Sequence, residues 1–365
     1  MKKTLVALAV AAVAATSANA AVVYNQDGTK VDVGGQVRLL LTKDKNERAD
    51  LKYGSSRIHA KVNQDLGDGY SALGHLEIGL KGDQDNVTVR RVYAGFAKEG
   101  VGQLTFGRQL TNLDDVGVSD YTYDLGGVNT TVTEANKDIR FRSADFAGFQ
   151  FGLDYYFGDN AKNKAYEYED ENGITQTSST YDNASGFGVS AFYTVDVAND
   201  TALNFEAGYT QTKFGNNGTE SPVKPYKQKA FTVGAEVVSG KFALGVDYSQ
   251  AKATKATNDK NSLDIIAPHS SGTVVSLPVN KLQQLEVGAK YDYLDNASVY
   301  GEYIYRQGKF VNVDEKVKVN EFILGTDYKF AKNVITYFEA GTAKAKFDDK
   351  SARDHKVRVG LRVLF

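Results

Sequence analysis

The chain has 365 residues, with 43 Lys plus Arg against 45 Asp plus Glu, no Cys, no Trp, 22 Tyr and 19 Phe. The near balance of charge gives no basic footprint for a nucleic-acid partner, and the lack of Cys removes disulfides, thiolate metal sites and thiol nucleophiles. Plentiful glycine (35) beside scarce proline (4) suits many short strands joined by tight turns.

In chain order the first element is MKKTLVALAVAAVAATSANA. Lys2 and Lys3, an apolar run from Leu5 and the small residues of Ala18-Asn19-Ala20 predict a secretory signal peptide over 1–20, with the mature chain at 21–365. The apolar run is too short to span a bilayer, which takes roughly 20 apolar residues. Nothing after it has the pattern of a transmembrane helix, so a membrane reading requires a barrel.

The mature chain then alternates apolar and polar residues with a period of two, as a strand does when one face meets lipid and the other water. Apolar residues at Val31-Val33-Val37-Leu39-Leu41 open the series. It continues at Phe149-Phe151-Leu153-Tyr155-Phe157, Leu203-Phe205-Ala207-Tyr209, Phe231-Val233-Ala235-Val237 and Phe242-Leu244-Val246-Tyr248. Leu285-Val287-Ala289-Tyr291-Tyr293, Phe322-Leu324-Thr326-Tyr328-Phe330 and Val357-Val359-Leu361-Val363-Phe365 complete it. The opposite face carries Asp154, Asn204, Glu206, Asp247, Glu286, Lys290, Asp292, Asp327, Lys329, Arg358 and Arg362, as a wet lumen requires.

Connections alternate as well. Short turns are predicted at Gly67-Asp68-Gly69, Glu99-Gly100, Ala147-Gly148, Ala198-Asn199-Asp200, Ser239-Gly240, Leu294-Asp295-Asn296 and Ala331-Lys332-Asn333. Polar loops lie between them, the longest over about 111–136, 158–185, 213–228 and 251–281. The count is about sixteen antiparallel strands, an all-β transmembrane barrel with both termini on one side. Tyr and Phe gathered at strand ends fit interfacial girdles.

Two segments resist the alternation. In VTVRRVYAGF the adjacent Arg90 and Arg91 place one arginine outward, and in GQLTFGRQL Arg108 shares parity with Leu104 and Phe106. A lipid-facing arginine costs on the order of 2–4 kcal/mol at the midplane. The expectation is that Arg91 and Arg108 lie at a contact with another subunit.

These features resemble the trimeric general porins of Gram-negative bacteria, in particular those of Haemophilus and Pasteurella species. The resemblance covers essentially the whole mature chain and is most specific at AVVYNQDGTKVDVGG, at Gly67-Asp68-Gly69-Tyr70, at Phe106-Gly107-Arg108 before a long third loop, and at the terminal Phe365. It implies a third loop folded into the lumen, with acidic residues facing a basic ladder. Tyr123-Asp124-Leu125-Gly126-Gly127 stands where porins often have Pro-Glu-Phe-Gly-Gly, so Asp120 and Asp124 become the acidic side of the constriction. Arg57 and Arg90 match the ladder by position; Arg38 is displaced by two residues, Gln36 occupying the matching site, and Arg140 and Arg142 lie on lumen parity of the next wall strand. The resemblance further implies a homotrimer in the cell outer membrane, in contact with lipopolysaccharide and lipid, passing ions and small hydrophilic solutes, with Phe365 as an assembly signal. Asp83 and Asp85 of the second loop are expected partners for Arg108.

Such a channel needs no cofactor, metal or catalytic residue, and the sequence offers no phosphate-cradling glycine loop and no nucleophile elbow. His59 and His75 share lumen parity on adjacent strands, and the acidic run 165–173 reads as a solvated loop. A substrate-selective channel and a plugged structural or adhesin barrel are the competing readings.

Overall fold

The computed structural model describes residues 20–80, 87–158, 166–169, 175–178, 185–214, 226–254, 263–269, 274–310 and 314–365. The leader (1–19), Asp83, Asp85 and most of the acidic run 165–173 lie outside them. In chain order the strands are β1 (Ala21–Gln26), β2 (Thr29–Asp44), β3 (Asp50–Tyr53), β4 (Ser56–Gly67), β5 (Tyr70–Leu80), β6 (Val87–Lys98) and β7 (Gly102–Leu110). There follow β8 (Glu134–Ser143), β9 (Phe149–Tyr156), β10 (Tyr166–Glu169), β11 (Thr175–Ser178), β12 (Gly186–Ala198), β13 (Thr201–Phe214), β14 (Tyr226–Ser239) and β15 (Phe242–Thr254). The last are β16 (Leu263–Pro268), β17 (Val274–Leu294), β18 (Ala297–Phe310), β19 (Lys316–Ala331), β20 (Val334–Phe347) and β21 (Lys350–Leu364).

Sixteen of these, β2, β4 to β9, β12 to β15 and β17 to β21, form a closed antiparallel barrel. Closure runs through β2, which pairs with β4 on one side and β21 on the other. Below the end of β21, β1 takes its place against β2, with Ala21 opposite Val33. Phe365 completes the seam: its carbonyl accepts from the Gly35 N–H (2.8 Å) and its own N–H donates to the Gly35 carbonyl (3.0 Å). A side chain at position 35 would strike the Phe365 ring, so this glycine is required by the close approach.

The predicted two-faced pattern holds. On β19 the outward Phe322, Leu324 and Phe330 are 57%, 63% and 68% exposed, while the inward Glu321, Ile323 and Asp327 are buried. Apolar side chains left bare on a closed barrel are the surface that lipid covers. All seven predicted short turns fall between paired strands, several with the left-handed backbone that tight hairpins need, as at Asp68 (φ 52°) with Gly69 (φ 73°) and Ala147 (φ 57°) with Gly148 (φ 88°). Among the described residues no helix is long and apolar enough to cross a membrane.

The adjacent arginines resolve differently from the expectation. Glu77 pairs with Arg91 but its neighbour Ile78 pairs with Val89, so Arg90 is the extra residue of a β-bulge. The bulge lets both side chains reach Glu77, Arg90 at 2.9 Å and Arg91 at 3.1 Å. Arg91 therefore lies with the lumen residues and is not an outward contact; strict parity fails where the ladder gains a residue. Arg108 does share the outward side of its partner Val92 and pairs with Glu134 at 3.2 Å. The predicted loop 251–281 is also partly strand, because β16 and the first residues of β17 form a hairpin above the wall.

Candidate functional site

The longest described connection, residues 111–133 between β7 and β8, lies inside the barrel along the wall. It starts with a 3-10 turn, Asn112–Asp115, capped by the Thr111 hydroxyl, which accepts from the Leu113 N–H at 3.2 Å. Asn112 is held by Asp154, which accepts from its backbone and side-chain nitrogens at 3.0 Å each. Leu113 and Val116 pack on Phe192. At Gly188 and Gly208 a methyl group would collide with Leu113, so glycine clears the wall for the turn.

Beyond the turn, every wall strand from β13 to β20 offers one inward carboxylate to the loop. Glu206 accepts from the Gly117 N–H (2.8 Å). Glu236 accepts from the Tyr121 hydroxyl (2.6 Å). Asp247 accepts from the Val118 N–H (2.8 Å), the Ser119 N–H (2.7 Å) and the Ser119 hydroxyl (2.6 Å). Glu286 takes the Gly127 N–H at 3.0 Å and Glu302 the Tyr121 N–H at 2.5 Å. Asp327 takes the Tyr123 hydroxyl at 2.7 Å, and Glu339 takes the Tyr123 and Asp124 N–H groups at 2.5 and 3.2 Å. A loop has no ladder partner for its N–H groups, and a buried N–H left without an acceptor is costly. This row of acids thus fixes a segment that its own sequence would leave irregular.

The loop tip crosses to the seam. Arg38 donates to Asp124 (2.9 Å), to the Tyr123 carbonyl (2.7 Å) and to the Tyr337 hydroxyl (2.8 Å). Arg358 reaches the other Asp124 oxygen at 3.1 Å and also Asp44 at 2.5 Å. Arg362, opposite Arg38 in the register of β2 and β21, donates to Gln36 at 2.9 Å. Among the described residues Asp120 pairs with no cation: it is exposed and its carboxylate accepts from the Thr122 N–H and hydroxyl (2.9 and 2.8 Å).

The wall that the loop leaves uncovered, β4 to β8, is basic. Arg57, Arg90 and Arg91 gather on Glu77, at 3.7, 2.9 and 3.1 Å. Arg140 and Arg142 face Asp115 at the start of the loop, at 3.9 and 3.3 Å, and Arg142 also lies over the Phe192 ring. His59 and His75 stack at 5.7 Å, and His75 stacks on Tyr93 at 4.9 Å.

The sequence-predicted residues thus fall into three groups: Arg38 with Asp124, Arg57 with Arg90, and Arg140 with Arg142. Asp120 stands apart from all three. Sequence reasoning missed Glu77, Asp115, the wall acids Glu236, Glu302 and Glu339, the pairing of Arg358 with Asp124, and the place of Arg362 over the Tyr123 ring at 5.8 Å. The two arginines had been placed on the lumen face of the last strand, but only closure of β21 onto β2 brings them beside Arg38.

Comparison with known proteins bears on this architecture directly. Residues 7–348 match the model of the Gram-negative porin family. The chain is also 42% identical, over the full length of both, to the major outer membrane protein of Pasteurella multocida strain Pm70. The chain belongs to the Gram-negative porin family. Among solved structures this porin is similar in fold to OmpT of Vibrio cholerae in its trimer form (TM-score 0.67, 20% identity, 93% of this chain and all of that one). It is likewise similar to Salmonella typhi OmpF in complex with daunomycin (TM-score 0.67, 20% identity, 94% and 99%). A third is an anion-selective porin from Comamonas acidovorans (TM-score 0.61, 18% identity, 92% and 100%). The porin is an outer-membrane barrel serving as a general diffusion channel.

Proposed function

We infer that the waist of this channel lies between residues 111–133 and the arginines of β4, β6 and β8, and that opposed charge across it sets which small solutes pass. One observation carries the reading. The loop is tied to one half of the wall and exposes Asp114, Asp120 and Asp124, while the half it leaves open carries Arg57, Arg90, Arg91, Arg140 and Arg142. Opposite fixed charges across a narrow aqueous gap produce a transverse field that orders water and favours polar permeants. No step of this mechanism is catalytic, and no cofactor or metal enters it.

The reading extends to assembly. Secretion by a leader cleaved after Ala20 is supported by Lys2 and Lys3, the apolar run from Leu5 and the small residues Ala18-Asn19-Ala20. Phe365 locked to Gly35 suits a role as the assembly signal, since the barrel closes there. A homotrimer set among lipopolysaccharide and lipid is supported by the bare apolar outer face and the outward Arg108. Asp120→Asn with Asp124→Asn should move the zero-current potential in a salt gradient toward anion preference, since negative charge leaves the waist. An unmoved potential in planar bilayers overturns the assignment of these two residues.

A further inference from the structure

Above the waist the lumen carries a feature that a uniformly wet channel does not require. From Lys281 onward β17 pairs with wall strand β15, but Val274 to Val279 pair instead with β16. The resulting hairpin bends inward. Ile265, Ala267 and Val279 are buried against Val317 and Val319 of β19 and Ala343 and Ala345 of β20. These four wall residues have lumen parity, opposite to the exposed Phe322 and Phe338 of the same strands. An apolar patch facing water is unfavourable until covered, and burying it holds the hairpin down. Gly308 permits the approach, because a methyl group there would stand 2.7 Å from Val279 and 3.1 Å from Ile265.

Between this hairpin, the returning part of residues 111–133 and the wall is a cavity of about 370 Å³, within the size range of small-molecule sites. Its apolar lining includes Leu125, Leu282 and Val319, and its charged lining includes Asp264 and Lys356. Arg306 and Glu321, also there, are already paired with each other. Asp264 has no hydrogen-bond or ion-pair partner among the described residues. Among the described residues Lys356 has only Asp354, also part of the lining, at 4.0 Å. The cavity therefore presents one unengaged acid, a loosely paired ammonium beside the buried Asp354 carboxylate, and an apolar floor.

We propose that this cavity is a subsite for small zwitterions bearing an apolar group, whose ammonium meets Asp264, whose carboxylate meets Lys356 and whose side chain rests on Leu282 and Val319. The subsite raises the local concentration of such solutes just before the waist. It rests on the channel reading given above.

The test is single-channel recording of the purified full-length mature porin with alanyl-phenylalanine, glycyl-glycine or N-acetyl-alanyl-phenylalanine added on one side. Alanyl-phenylalanine should produce resolved current interruptions, with the two other peptides giving residence times about tenfold shorter, the scale of one lost charge-assisted contact or apolar group. Asp264→Asn and Lys356→Gln should each shorten the alanyl-phenylalanine events by a similar factor, each read against the variant's own open-channel current. Equal interruptions by all three peptides, or events indifferent to both substitutions, overturn the subsite. A protein without ion conductance would instead overturn the channel reading itself.

Discussion

Strands β13 to β20 turn carboxylates inward and β2 to β8 turn arginines inward, yet the two halves of the lumen use their charges in opposite ways. The acids are absorbed: one on each of these wall strands accepts from N–H or O–H groups of residues 111–133, and Glu321 is taken up by Arg306. The arginines are crowded on few counterions, three of them on Glu77 and two on Asp115. An acid can be neutralised structurally by backbone donors, whereas a guanidinium, with five donors and no acceptor, stays charged and looks for an anion. One half of the wall is therefore a fastening, and the other remains electrostatically open to the permeating solute.

The largest effect should come from upsetting the crowded side. Glu77 is 4% exposed in its side chain, and it is the shared anion of Arg57, Arg90 and Arg91. Glu77→Gln leaves three like charges without it, at a cost on the order of 3 kcal/mol for breaking a buried pair, lessened by lumen water. The thermal midpoint in detergent should fall, and the zero-current potential should shift toward anions. A midpoint equal to wild type would show that the arginines are held apart by solvent alone, and the contrast between the two halves would vanish.

Next in size is release of the fastening. Asp247→Ala removes an acceptor of three hydrogen bonds and leaves the Val118 and Ser119 N–H groups and the Ser119 hydroxyl without it. Each lost hydrogen bond is worth about 0.5–1.5 kcal/mol. Gly288→Ala attacks the same stretch sterically, since its methyl group would overlap the Ser119 carbonyl. Both variants should keep the β-sheet circular dichroism of the barrel while giving a larger, noisier conductance. A quiet channel of wild-type conductance in both would mean that the loop is held elsewhere.

Much of this fold was legible in the sequence because a barrel strand repeats one rule, and each short turn carries its own backbone demand. The turn at Gly67-Asp68-Gly69 and the faces of β19 follow from local chemistry alone. What escaped was non-local. The bulge at Arg90 depends on which residue of β5 sits opposite, so the inward aim of Arg91 was not readable from VTVRRVYAGF. The pairing of Asp124 with Arg358 joins positions 234 residues apart, and nothing in either segment announces it. Resemblance supplied Asp120 and Asp124 as acids of the loop, but of the wall acids that hold it only Glu206, Asp247, Glu286 and Asp327 were visible, as lumen-facing positions without partners.

Arg108 gives the smallest effect on the isolated barrel and isolates the outer face from both inner halves. Its pair with Glu134 is about 40% exposed on each side (42% and 38%), and an exposed pair contributes about 0–1 kcal/mol. Arg108→Glu should therefore change the stability of a detergent-solubilised monomer by no more than about 1 kcal/mol, with zero-current potential unchanged because the residue does not face the lumen. At a subunit contact the same substitution sets two carboxylates side by side in a surface closed off from water, where like charges are strongly unfavourable. On unheated gels the variant should then run as a folded monomer where wild type runs as a trimer. A trimer of undiminished heat resistance would remove Arg108 from the contact and leave it an ordinary charge near the rim.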